Sequence, residues 1–157
     1  MKGIFVNVVL ILFCLSSSSQ TVLDTDGLNN LDNVFLYSLK EYCKTLDSTE
    51  TKMVYVRKEY PIGDSWPRSI DSFEIVYLYT DKEYKKAIRK NGGDVTVIEI
   101  SQLNFREGKF YVSVIPFRTT YSWWKSSISL TSGGGLAIYF NYSSDKGGLI
   151  YSQKEWY

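Results

Sequence analysis

The chain has 157 residues, with 18 lysines and arginines against 17 aspartates and glutamates, so its formal net charge is +1. A nearly neutral chain has no overall field that would attract nucleic acid or an anionic membrane. The sequence contains no histidine and only two cysteines, which excludes Ser-His-Asp and Cys-His nucleophile systems and thiolate zinc sites. We therefore assign no catalytic residue, no cofactor and no metal ligand from the sequence.

The first nineteen residues have the layout of an export signal. Lys2 supplies a positive start, Ile4–Leu15 is apolar except for Asn7, and Ser16–Ser19 provides the small residues that a signal peptidase requires. The apolar stretch is shorter than the roughly 20 residues that a membrane span needs. These features predict a signal peptide over residues 1–19, with membrane contact only during export.

Cleavage near Ser19 predicts a secreted or periplasmic protein in which residues 20–157 form a single α+β domain. A lipoprotein acylated at Cys14 is less favoured, because Phe13 occupies a position where a small residue is usual. Cys43 is then the one cysteine of the mature chain, so no internal disulfide can form. It lies on the apolar stripe of a predicted helix, which favours a small buried hydrophobe over an intermolecular disulfide.

Two helices are predicted from spacing and end signals. The first has apolar residues every three or four positions: Leu28, Leu31, Phe35, Leu39, Tyr42 and Leu46. Asp26, Asn29 and Asn30 offer oxygens that can cap its start. The second begins with a cap at Asp81 and runs to about Lys90, where Asn91-Gly92-Gly93 ends it.

The remaining apolar segments alternate in the manner of strands, separated by short polar turns. They are Met53–Lys58, Phe73–Tyr79, Val95–Ser101, Phe110–Phe117, Leu136–Asn141 and Leu149–Glu155. The pattern predicts an N-terminal amphipathic helix packed on a mostly antiparallel, curved sheet of about five to six strands, plus a second short helix. In element order this resembles helix-plus-curved-sheet folds such as the cystatin-like and NTF2-like groups.

Three other features could indicate either a functional site or an ordinary structural role. The second helix carries five positive charges, which indicate either a solvated face or an anion-binding patch. The glycines of Ser132–Gly135 precede a strand rather than a helix, so they favour a bulge or a close backbone approach over a phosphate loop. Carboxylates that might pair in space are Glu59, Asp64, Glu74, Glu99 and Asp145.

The tryptophans are the strongest positive signal for binding. Trp123 and Trp124 are adjacent in a polar segment, and Trp66 lies in a loop before Pro67. Exposed aromatic rings commonly anchor a partner, although large rings also fill cores. We therefore predict a small non-catalytic binding or inhibitory module that uses Trp66, Trp123 and Trp124 to contact a protein or glycan, not nucleic acid. A structural or assembly component of the envelope or extracellular matrix, and a carboxylate-dependent hydrolase, are the alternatives.

Overall fold

The computed structural model describes residues 33–157. The predicted signal peptide, and the capping residues predicted before Asn33, lie outside that range. In chain order the elements are α1 (Val34–Cys43), β1 (Met53–Arg57), β2 (Ser69–Ile70), β3 (Phe73–Leu78), α2 (Asp81–Lys90), β4 (Asp94–Ile100), β5 (Asn104–Arg106), β6 (Lys109–Ser122), β7 (Ser127–Thr131), β8 (Leu136–Ser143) and β9 (Gly148–Trp156).

These strands form one sheet in the order β2-β3-β1-β4-β6-β8-β9, and β5 and β7 pair with β6 as well. Strand β1 is parallel to both β3 and β4, whereas every other pairing is antiparallel. The predicted α+β class and mostly antiparallel sheet are confirmed. The connection from β3 through α2 to β4 crosses over β1, which lies between them.

The prediction of five to six strands was wrong, since the described residues form nine. The three missed strands are short: β2 has two residues, β5 has three and β7 has five. Each is recognisable only through its pairing with a longer neighbour. Strand β6 also continues beyond the predicted end at Phe117 to Ser122, because β7 pairs with that extension through Tyr121 and Ser122.

The helix ends differ from the predictions for local reasons. Asn33 caps α1, because its Oδ1 accepts hydrogen bonds of 2.9 Å from the backbone N–H groups of Phe35 and Leu36. Thr80, rather than Asp81, caps α2. Its hydroxyl accepts from the N–H of Glu83 while the Glu83 carboxylate accepts from the N–H of Thr80, a reciprocal capping box.

The two helices cover opposite faces of the sheet. The apolar side of α1 packs on one face of β1, β3, β4, β6 and β8, forming the larger core cluster. The apolar side of α2 packs on the opposite face against side chains of β1, β3 and β4, with Tyr121 and Ile128 at its margin. Among residues 33–157, no helix has the length and apolar character needed to span a bilayer.

A buried carboxylate ties α1 to the last strand. Glu41 accepts hydrogen bonds from Lys154 of β9 at 2.7 Å and from Lys44 at 2.5 Å. Burial alone would raise the pKa of Glu41, but these two ammonium groups outweigh it and the pKa is lowered. Burial, with a smaller effect of the same carboxylate, raises the pKa of Tyr37 to about 12. The ion pair therefore holds the charged form of Glu41 inside the fold.

The glycine segment before β8 allows a close backbone approach, as predicted. Gly135 and Tyr157 exchange two backbone hydrogen bonds of 3.1 Å. A Cβ atom on Gly134 would lie 2.0 Å from the Tyr157 carbonyl oxygen, and the φ angle of Gly134 is +145°. No other residue type fits this position without displacing the backbone of Tyr157.

Candidate binding surface

The turn that joins β6 to β7 exposes two adjacent tryptophans on the molecular surface. The two strands pair up to Ser122 and Ser127, which leaves Trp123, Trp124, Lys125 and Ser126 as a four-residue loop. Ser126 adopts a φ angle of +48°, which lets the chain reverse direction after the two indoles. The turn therefore displays both tryptophans at the end of a long hairpin.

Trp123 is exposed yet held in place. Its side chain is 64% exposed, and its ring meets that of Tyr121 at 4.9 Å in an edge-to-face arrangement with an interplanar angle of 86°. The guanidinium of Arg89 lies 5.3 Å from the Trp123 ring centroid, and the ammonium of Lys85 lies 4.6 Å from that of Tyr121. These are distances at which a cation is attracted to an aromatic face. The two cations of α2 therefore restrain the rings of Tyr121 and Trp123, where β6 leads into the turn.

Trp124 is the most exposed large apolar side chain of the described residues, with a fractional exposure of 100%. It is followed by Lys125, which is exposed as well. A fully hydrated indole gains nothing from folding, because no apolar area is removed from water. A residue of this kind at the tip of an ordered turn is available to bind another molecule.

Trp66 is placed elsewhere. It is 3% exposed and belongs to the core cluster beneath α1, on the sheet face opposite to that of α2. Its indole N–H has no hydrogen-bond partner within residues 33–157. The structure thus brings Trp123 and Trp124 together but keeps Trp66 apart from them, filling the core as the structural alternative proposed.

The cations of α2 complete the surface, and their packing on the aromatic rings was not foreseen from the sequence. Lys85 and Arg89 are four residues apart, so they lie on one side of α2, and Tyr121 and Trp123 are two apart on one side of the chain. These spacings allow the two cations and the two rings to pair, but only the fold brings the two segments together. Lys86 and Lys90 project to another side of α2, where Lys90 approaches the sulfur of Met53 at 3.3 Å.

Two of the candidate carboxylates, Glu59 and Glu99, contact the same arginine away from the β6–β7 turn. Arg57, at the end of β1, contacts Glu59 at 2.6 Å through Nη2 and Glu99 at 2.9 Å through Nη1. Burial alone would lower the pKa of Arg57, but the two carboxylates outweigh it and the pKa is raised. Both acids are therefore occupied by one guanidinium beside a cavity of about 260 Å³. The carboxylate-dependent hydrolase stays a prediction.

The other candidate acids are separate from this pair. Asp64 is ion-paired with Lys58, Glu74 is exposed on β3, and Asp145 lies in the turn between β8 and β9. No group of three or more histidine, cysteine, aspartate or glutamate side chains within residues 33–157 has an arrangement that would hold a metal ion.

Cys43 is a buried residue of the core, as predicted, with no measurable exposure. Burial, with a smaller effect of the negative charge of Asp71, raises the pKa of its thiol to about 12. Because the thiolate is the reactive form, this side chain is protected both by its position and by its ionisation.

Comparisons with protein-family models, with curated proteins and with solved structures found no match to this chain.

Proposed function

We propose that this chain is a small exported, non-catalytic binding or inhibitory module whose contact surface is the turn between β6 and β7. The observation that carries the proposal is Trp124, which is fully exposed at the tip of an ordered turn. The neighbouring Trp123 packs against Tyr121 and Arg89, so these three side chains lie together beside the turn. Tryptophan, tyrosine and arginine are the residues most enriched among those that dominate binding energy in protein interfaces.

The arrangement also suits binding because much of it is ordered beforehand. The ring of Trp123 is restrained on two sides, by Tyr121 and by Arg89. A side chain that is already fixed loses less rotamer entropy when a partner docks, which raises affinity without any additional contact. Trp124 then supplies the new buried area.

The test is a capture experiment with matched baits. Wild type, Trp124→Ala and Trp156→Ala are immobilised and exposed to the native secretome. Trp156 is the control, because it is an exposed tryptophan outside the turn, at 56%, whose ring packs against Tyr42 of α1. Material retained by wild type and Trp156→Ala and lost from Trp124→Ala supports the proposal. The same material on all three baits contradicts it.

Assembly is the second candidate, and strand β9 favours it. This strand has nine residues, and within the described part of the chain it pairs only with β8. An unpaired strand edge can template another chain. However, β9 carries an irregularity opposite Tyr139 and Phe140, and Lys154 lies on it, two features that discourage strand addition. Concentration-dependent self-association that is unchanged in Trp124→Ala would favour assembly over binding.

A further inference from the structure

The side of α2 that faces the β6–β7 turn carries a row of cations. Lys85 and Arg89 contact the aromatic rings directly, and Lys82 continues the row one turn earlier by helical spacing. At 1.5 Å per residue, the row from Lys82 to Arg89 extends about 10 Å along the helix axis. Lys125, next to Trp124, adds a further positive charge at the turn.

Within the described residues, no carboxylate lies within ion-pair distance of these cations. Ion pairs within residues 33–157 use Lys44, Arg57, Lys58, Arg106, Arg118 and Lys154. No lysine or arginine of α2 is within ion-pair distance of an acidic group in that range. Asp81 and Glu83 flank Lys82 in the first turn of α2, and the Glu83 carboxylate accepts hydrogen bonds from the backbone N–H groups of Tyr79 and Thr80. Lys85 and Arg89 thus place two positive charges without a nearby carboxylate beside the aromatic rings of Tyr121 and Trp123.

We infer that this surface, comprising Trp123, Trp124 and the row Lys82, Lys85 and Arg89, binds an acidic polysaccharide. The inference rests on the proposed function and names the chemical class of its partner. A pyranose ring presents a face of C–H groups that stacks on an indole, while its carboxylate or sulfate group projects from the ring edge. Arg89 lies directly over Trp123, where its guanidinium can donate two hydrogen bonds to such an anion.

The geometry favours a linear acidic polymer over a bilayer. Insertion into a bilayer uses a broad apolar face, whereas this turn has two indoles flanked by Ser122, Lys125 and Ser126. A row of cations about 10 Å long instead follows a chain with repeated negative charges. Single-stranded nucleic acid shares the requirement for stacking and cations, so it is included as a competing probe. The predicted export of the protein favours a polysaccharide.

The experiment compares two double variants that remove the same charge from one helix. Lys85→Gln/Arg89→Gln removes two cations facing the turn, and Lys86→Gln/Lys90→Gln removes two with the same spacing on another side of α2. Binding of polygalacturonate and chondroitin sulfate is measured at several salt concentrations, with dextran as neutral probe. An oligo-deoxythymidine and phosphatidylglycerol vesicles test the other anionic partners. Circular dichroism confirms that each variant is folded.

We expect both acidic polysaccharides to bind and dextran not to bind. Lys85→Gln/Arg89→Gln and Trp124→Ala should each weaken binding by about tenfold or more, as for interface anchors, whereas Lys86→Gln/Lys90→Gln and Trp156→Ala should change it less than about twofold. Equal losses in the two double variants, no binding of either polysaccharide, or tighter binding of the oligonucleotide or the vesicles would overturn the inference. If capture from the secretome still depends on Trp124 in those cases, the proposed function stands and only the partner class is wrong.

Discussion

The structure predicts that alanine at Trp66 and alanine at Trp124 have opposite consequences. A tryptophan side chain that is buried removes about 150–250 Å² from water, and Trp66 is 3% exposed. At about 25 cal/mol per Å², this area corresponds to at most about 4–6 kcal/mol. Allowing for partial relaxation, we expect Trp66→Ala to lower the free energy of unfolding by about 3–5 kcal/mol. Trp124→Ala removes no buried area, so its effect should stay within about 0.5 kcal/mol.

Urea denaturation followed by circular dichroism measures both values without relying on tryptophan emission. Trp66→Phe provides an internal check, because it keeps an aromatic ring while removing an indole N–H that has no partner within the described residues. Leaving a buried donor unpaired costs about 1–3 kcal/mol, so this variant should lose less than about 2 kcal/mol. A loss below about 1 kcal/mol in Trp66→Ala, or a large loss in Trp124→Ala, would refute the assignment of one ring to the core and the other to the surface.

Three further predictions follow from the ends and the core of the chain. Cys43→Ala should lower the free energy of unfolding by about 1–3 kcal/mol, and the wild-type thiol should resist alkylation until the protein unfolds; rapid labelling of native protein would contradict its burial. Because the pKa of Glu41 is lowered in the fold, its contribution to stability is present above the unfolded value of about 4.3 and is lost as the pH falls through the lower folded value. Glu41→Gln should therefore lower the free energy of unfolding by about 1–3 kcal/mol at pH 7 and weaken its dependence on pH below about 4.3. An unchanged pH dependence in this range would show that the ion pair with Lys154 contributes nothing. N-terminal sequencing of exported protein should begin near Gln20; an intact Met1 or a lipidated Cys14 would exclude cleavage there.

Much of the fold was predictable from local patterns. The end of α2 at Lys90 and the burial of Cys43 follow from spacing and end signals. Glu107 and Gly108, which join β5 to β6, both have positive φ angles, as is common in hairpin turns. Parallel pairing of β1 with β3 and β4 was not predictable, because it depends on partners distant in sequence. The short strand β7 has no buried residue and is defined only by its contact with β6.

The candidate surface was only partly predictable for a related reason. The two adjacent tryptophans in a polar segment were compatible with either core filling or exposure, and the structure places both in a turn and exposes both. The residues around Trp66 in the sequence did not indicate that it is buried whereas Trp123 and Trp124 are exposed. Its burial depends on how the loop before β2 folds beneath α1. The contact between Arg89 and Trp123 joins segments more than thirty residues apart, so its detection required the topology of the sheet.

The claim that the β6–β7 turn is the contact surface can be tested most directly by fluorine NMR. The chain has four tryptophans, so incorporation of 5-fluorotryptophan gives four resonances that single substitutions assign. When concentrated native secretome is added, we expect the signals of Trp123 and Trp124 to shift or broaden while those of Trp66 and Trp156 stay unchanged. Unchanged signals at the turn, or changes confined to Trp66 and Trp156, would contradict it.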